Sequence, residues 1–191
     1  MSSLKADFNE LMERVRQGRE FSHSSFEPIY YLVFHPSEII NVKRQTPAWV
    51  AKLRNEGWNV TQFSMAEHVM DILENSKLRK IWLAADRKDP LNWQRTNQSL
   101  RNALTHDGPL VKRLEETLES LQNTPNAILL LTDVEALHPY LRIGAVEAQL
   151  QGRFHVPTVI FYPGVRAGKT SLKFLGFYPE DGNYRSVHVG G

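Results

Sequence analysis

Gly164-Val165-Arg166-Ala167-Gly168-Lys169-Thr170 is the stretch of this sequence that comes nearest to a phosphate-binding loop. Such a loop needs four residues between its glycines, followed by Lys and then Ser or Thr. It must also join a strand to a helix, because successive backbone N–H groups and the helix N-terminus hold the phosphates. Here only three residues separate Gly164 from Gly168, and Leu172, Phe174, Leu175 and Phe177 downstream read as a strand. The stretch predicts a strand-connecting loop with a solvated Lys169. No nucleotide or other cofactor is expected.

Other residue types that do chemistry are present without their partners. Asp133 follows an apolar run, with Glu135 close by, in the manner of a magnesium-orienting aspartate. Without a phosphate cradle, however, a magnesium ion has no substrate oxygens to share. His35 and His138 each precede a proline just after a strand, beyond the carboxyl ends where α/β proteins often build sites. Asp133, His138 and Arg142 are therefore the residues around which an unrecognised enzymatic site would form. His23, His68, His106, His155 and His188 lie scattered, and no histidine has a second ligand at zincin spacing. There is no G-x-S-x-G elbow and no cysteine, which excludes disulfides, thiolate nucleophiles and Cys-ligated zinc.

Charge is spread unevenly. Residues 77–101 hold Lys77, Arg79, Lys80, Arg87, Lys88, Arg95 and Arg101 against Asp86 and Asp89, a net +5. Residues 115–150 hold Glu115, Glu116, Glu119, Asp133, Glu135 and Glu147 against Arg142, a net −5. Two such segments suit electrostatically complementary contacts with partners, and Arg79, Lys80, Arg87, Lys88, Glu115, Glu116 and Glu119 are the candidate interface residues. The basic segment also carries Trp82 and Trp93, a combination that fits DNA contact, although both tryptophans fall on apolar helix stripes and are expected in the core.

The elements that must position these residues follow from periodicity. Leu4, Phe8, Leu11, Met12 and Val15 predict a helix over 3–17 that Gly18 would end. Ile29–Phe34 is a continuous apolar run, as in a strand buried on both faces. Thr46-Pro47 offers an N-cap with proline at the first helical position, and a strand is expected near 58–63. Ser64-Met65-Ala66-Glu67 matches a capping box. Helical segments follow around Leu78–Ala85, from Asp89-Pro90 and from Leu110 to Leu121, so about 60 residues (far more than a crossover needs) separate that strand from the next, Ala127–Leu131. A helix over 141–150 and strands at 156–162 and 172–178 complete the chain, the last two joined by a loop.

Strands alternating with helices predict an α/β fold, a three-layer sandwich around a mostly parallel sheet, resembling a P-loop-type fold without nucleotide-binding loops. The 191 residues, 41% hydrophobic and with a formal net charge of +2, suit a single domain over 1–191. No apolar run approaches a membrane span and the first residues lack a signal-peptide core, so a soluble cytoplasmic protein without membrane contact is expected.

Towards the C-terminus the residues resemble a known family. Leu131-Thr132, His138-Pro139-Tyr140-Leu141-Arg142, Val156-Pro157 through Phe161-Tyr162-Pro163-Gly164, Leu172-Lys173-Phe174-Leu175-Gly176 and Asn183-Tyr184-Arg185 follow in an order similar to the BrxB family of BREX bacteriophage-exclusion systems. The motif positions so marked are Pro139, Arg142, Phe161, Tyr162, Pro163, Gly164, Asn183, Tyr184 and Arg185. The resemblance implies a bacterial phage-defence component working beside a methyltransferase, an AAA-type ATPase and the alkaline-phosphatase-like protein PglZ, with PglZ the first partner to test. It implies no catalytic residues.

Overall fold

A computed structural model of the chain describes residues 3–20, 27–168, 171–181 and 186–191. His23, Lys169, Thr170, Asn183, Tyr184 and Arg185 lie outside the described residues. The elements run α1 (Leu4–Glu20), β1 (Ile29–Phe34), α2 (Ile39–Asn55), β2 (Asn59–Ser64) and α3 (Met65–Glu74). Then come α4 (Arg79–Lys88), α5 (Trp93–Thr105), α6 (Pro109–Leu121), β3 (Ala127–Thr132) and α7 (Ile143–Gln149). Strands β4 (Thr158–Ala167), β5 (Ser171–Phe174), β6 (Glu180–Asp181) and β7 (Val187–Gly190) end the chain.

Five strands form a parallel layer in the order β2-β3-β4-β1-β7. All six residues of β1 are buried, as are the first five of β3 and the first seven of β4. Parallel strands covered on both faces read as continuous apolar runs, which is why no alternation marks them in sequence. Tyr30, Leu32, Ile128, Leu130, Val159 and Phe161 face one side, where α1 and α2 supply Phe8, Leu11, Val42, Trp49 and Leu53. Phe8 stacks on Trp49 at 4.4 Å between ring centroids. Tyr31, Val33, Leu129, Leu131 and Ile160 face the other side, covered by α3, α5, α6 and α7 through Val69, Leu104, Leu114, Leu118 and Val146. The sheet thus lies between two helical layers, the three-layer α/β sandwich that the alternation predicts. No helix among the described residues is long and apolar enough to cross a membrane.

Several local expectations need correction. Gly18 does not end α1, which runs to Glu20; a Cβ there would stand 2.2 Å from the Tyr30 hydroxyl, so the glycine makes room for the Tyr30 side chain beneath α1. Thr46-Pro47 is not a helix start, because α2 is continuous with Pro47 inside it, and the Thr46 hydroxyl donates instead to the Val42 carbonyl at 2.8 Å. The helix after Asp89-Pro90 begins only at Trp93, and the one expected from Leu141 begins at Ile143. Gly164 to Ala167 extend β4 rather than forming a loop, and pair antiparallel with β5, which stops at Phe174. Strand β7, which the pattern does not announce, pairs parallel with β1.

Candidate functional site

Three groups of polar side chains gather on this scaffold. The first lies at the carboxyl edge of the sheet. The N-cap half of the capping box forms: the Glu67 N–H donates to Ser64 Oγ at 3.3 Å and starts α3. The same hydroxyl donates to Asp133 Oδ2 at 2.7 Å, and the Thr132 hydroxyl donates to that oxygen at 3.1 Å. Asp133 sits in the left-handed region at φ 57°, turning the chain sharply out of β3. Its other oxygen, Oδ1, lies 2.6 Å from the ammonium of Lys43 on α2, which also reaches Glu135 at 2.7 Å. Burial alone would raise the Asp133 carboxyl; hydrogen bonds from Lys43 and Ser64, and the Lys43 charge, outweigh it and hold the group below its ordinary value. Burial opposes the Lys43 charge too, but the two carboxylates prevail and raise its pKa.

The place where a phosphate loop would join β1 to α2 is taken by His35-Pro36-Ser37-Glu38. There the His35 ring nitrogen accepts from the Ser37 N–H at 3.2 Å and starts a single 3-10 turn. The Glu38 carboxylate accepts from Asn41 Nδ2 at 2.9 Å. Asp133 therefore has the position of a metal-orienting aspartate but an internal lysine as its counter-ion. Among the described residues, no group of three His, Asp or Glu is placed to hold a metal ion.

The second group centres on Tyr178. Its hydroxyl hydrogen-bonds His138 Nδ1, and the Arg142 guanidinium lies 4.8 Å from its ring centroid. Phe177 packs edge-on to His138 with ring centroids 5.6 Å apart. The candidate constellation of Asp133, His138 and Arg142 is thus divided: Asp133 turns to Lys43 and Ser64, the other two to Tyr178. Neither Lys43 nor Tyr178 could be picked out from spacing, because their partners lie 90 and 36–40 residues away in the chain.

The third group is the basic segment, carried by α4 and α5 as a helical hairpin. Only Trp82 is buried between residues 77 and 95. Its indole donates to Ser99 Oγ at 2.8 Å, and Thr96 donates to Asp86 at 3.0 Å, clamping α4 to α5. Trp82 belongs to neither core cluster. Trp93, expected in the core, is 58% exposed. Of the eight large hydrophobic side chains exposed among the described residues, five lie on this hairpin: Leu78, Ile81, Leu83, Leu91 and Trp93. None of Lys77, Arg79, Lys80, Arg87, Lys88, Arg95 and Arg101 forms an ion pair among the described residues.

The acidic segment behaves differently. Glu115 and Glu119 both face Arg153, at 3.3 and 4.0 Å, Asp133 and Glu135 share Lys43, and Glu147 accepts from the Tyr31 hydroxyl. Glu116 is exposed and forms no ion pair among the described residues. At the opposite edge of the sheet a cleft of about 520 Å³ is lined by Gly18, Tyr30, Asn126, His155 and neighbouring residues, with no carboxylate, lysine or arginine among them.

Of the positions that the resemblance to the family marks, Phe161, Tyr162, Pro163 and Gly164 lie in β4, Pro139 follows a cis peptide bond, and Arg142 precedes α7. A family model described as BREX protein BrxB matches residues 61–189, from β2 through β7. No curated protein and no solved structure matches the chain.

Proposed function

The chain belongs to the BrxB family of BREX proteins, and from that premise we propose that it is a non-catalytic accessory subunit of the phage-defence complex, an adaptor that holds partners together. The PglZ-type protein is the leading partner. One observation carries this reading. Asp133, which has the position of a catalytic or metal-orienting carboxylate, has both oxygens engaged by Lys43, Ser64 and Thr132. A carboxylate held that way, with its proton affinity lowered, is a poor general base, and a metal would have to displace the Lys43 ammonium from its Oδ1. Its role is then to tie α2, β2 and β3 together.

The test is co-purification of the full chain with the PglZ-type protein, alongside phage infection of cells carrying wild type, Asp133→Asn or a deletion. The expected result is a stable complex at micromolar concentration, loss of resistance on deletion, and resistance retained by Asp133→Asn. Separate elution combined with intact resistance on deletion overturns the adaptor reading. Loss of resistance in a folded, complex-forming Asp133→Asn variant points to catalysis.

A second reading, DNA contact, is favoured by the seven cations of residues 77–101 that meet no carboxylate among the described residues. It requires duplex affinity that falls steeply with salt, and a shallower slope after Arg87→Glu and Lys88→Glu.

A further inference from the structure

We propose that the α4–α5 hairpin is the arm by which this subunit docks, and that its occupant is a groove in another protein of the complex, with an apolar floor and an acidic rim. The proposal rests on the adaptor reading above and names the surface it uses.

Helix α5 is anchored to α3 and α6 and reaches the core through Leu104, but α4 and the turn after it are held to the rest of the molecule by little beyond α5. Between residues 77 and 95 only Trp82 is buried, yet the Trp82–Ser99 and Asp86–Thr96 hydrogen bonds keep the two helices in one arrangement. A preformed surface costs less ordering on binding. Leu91 is 87% exposed, Ile81 62% and Trp93 58%. Isolated exposed apolar residues need no explanation, but a concentration on one element marks an interaction surface. Elsewhere on the protein Arg14, Arg16, Lys43, Lys52, Arg113, Arg153 and Lys173 meet carboxylates, and the cations that form no ion pair among the described residues, such as Lys5, Arg44 and Lys112, lie apart in the sequence. The hairpin instead gathers seven such cations within residues 77–101, a cluster that suits an occupant with carboxylates.

The arrangement around the helix selects among anionic occupants. At about 100° per residue, Ile81 and Leu83 project roughly 160° apart around the outer side of α4, with Lys80 and Arg87 between them. A helix lying on an anionic membrane segregates apolar and basic residues to separate faces, and this one does not. A DNA backbone pairs with the cations but offers nothing apolar to both flanks. A second copy of the same face would oppose cations to cations. A protein groove that clasps the helix buries both flanks and places carboxylates at its rim, and aromatic, apolar and arginine side chains are what such interface cores favour.

The experiment uses the full chain, tagged, in a host carrying the complete BREX system, with nuclease added during isolation. Three chains are compared: wild type, the triple variant Ile81→Ser, Leu91→Ser, Trp93→Ser, and the triple variant Lys80→Glu, Arg87→Glu, Lys88→Glu. Thermal melting shows whether each remains folded, and a benzophenone amino acid introduced at Ile81 gives a readout that needs no destabilising change. The expected result is that wild type retains a BREX subunit, that each variant loses it at least tenfold while melting normally, and that the crosslink joins position 81 to a segment of that subunit rich in Asp and Glu. Equal retention by all three chains, or a crosslink to a segment without carboxylates, overturns the hairpin inference and leaves the adaptor reading standing. No subunit retained by wild type overturns the adaptor reading itself. Loss with the charge variant alone, together with tight wild-type binding to duplex DNA or to phosphatidylglycerol vesicles, overturns the protein groove in favour of that ligand.

Discussion

The Lys43 ammonium lies 2.6 Å from Asp133 Oδ1, joining α2 to the carboxyl end of β3, two strands along the sheet from β1. Asp133 titrates below its ordinary value in the folded chain, so the stability it contributes is present above the unfolded carboxylate range and is lost as pH falls through the lowered folded value. Lys43→Ala removes the counter-ion and leaves Asp133 and Glu135 facing each other. Lys43 is 47% exposed, so solvent screens the pair and the expected cost is about 1 kcal/mol. For a chain of this length that lowers Tm by about 2–4 °C. The acid limb of a Tm-versus-pH curve should also be shallower in the variant, so that the two curves converge as pH falls. Superimposable curves would show that the ion pair contributes nothing.

His188 gives a second pH dependence, of the same sign and in a different window. Burial, then the nearby positive charge of Arg166, lower its pKa to about 4. Tyr31 packs edge-on to its ring at 5.2 Å, and Ser186 Oγ lies 3.2 Å from Nε2. The unfolded chain takes up a proton near pH 6.5 that the folded chain refuses until about pH 4. Between those values the unfolded state binds more protons, so stability falls as pH falls. His188→Gln keeps the size and polarity but cannot titrate. The decline of Tm from pH 6.5 to 4 should therefore be shallower in the variant, and an equal slope would remove His188 from the account.

How far the sequence reached depends on the distance over which each feature is decided. Ser64 and Glu67 are three residues apart, and the N-cap hydrogen bond between them forms. The buried strands announce themselves because every position of Ile29–Phe34 is apolar. Pro47 misled because packing of Val42, Trp49 and Val50 holds α2 together across the missing N–H. Leu78, Ile81, Trp82 and Ala85 have the spacing of a core stripe, but a stripe shows only that a face is apolar and not what covers it. Here Trp82 is covered by α5, while Ile81 is left 62% exposed. The Lys43–Asp133 pair spans 90 residues, and no local pattern encodes it.

Truncation after Gly182 removes β7 and turns β1 into an edge strand. Tyr30, Tyr31, Leu32 and Val33 lose their parallel partners Val187, His188, Val189 and Gly190. Arg166 loses the carbonyls of Gly190 and His188, to which it donates at 2.6 and 2.8 Å. Val189 is 2% exposed, and its burial alone is worth about 2 kcal/mol. The truncated chain should melt several degrees lower, with Arg166→Ala giving a smaller shift in the same direction. A melting curve unchanged by truncation would mean that the C-terminal strand does not stabilise the domain.

Packing alone requires glycine at position 164. A Cβ at this position would stand 2.4 Å from the Tyr162 ring and 2.5 Å from the Lys173 carbonyl oxygen. Neither neighbour can yield easily. Tyr162 is 2% exposed and wedged between Tyr31 and Phe174, and the Lys173 carbonyl belongs to β5, paired opposite this turn of β4. Gly164→Ala must therefore push the β4–β5 hairpin away from the sheet, an overpacking expected to cost about 1–3 kcal/mol. Gly152 provides the comparison: it has φ +83°, and a Cβ there would meet nothing within 4 Å, so Gly152→Ala brings backbone strain without a clash. That strain is about 1 kcal/mol. Chemical denaturation of the two variants should place Gly164→Ala below Gly152→Ala, and phage resistance should fall only in proportion to the folded protein present in cells. A Gly164→Ala variant that is fully stable yet fails to protect would move Gly164 from the fold to a functional contact.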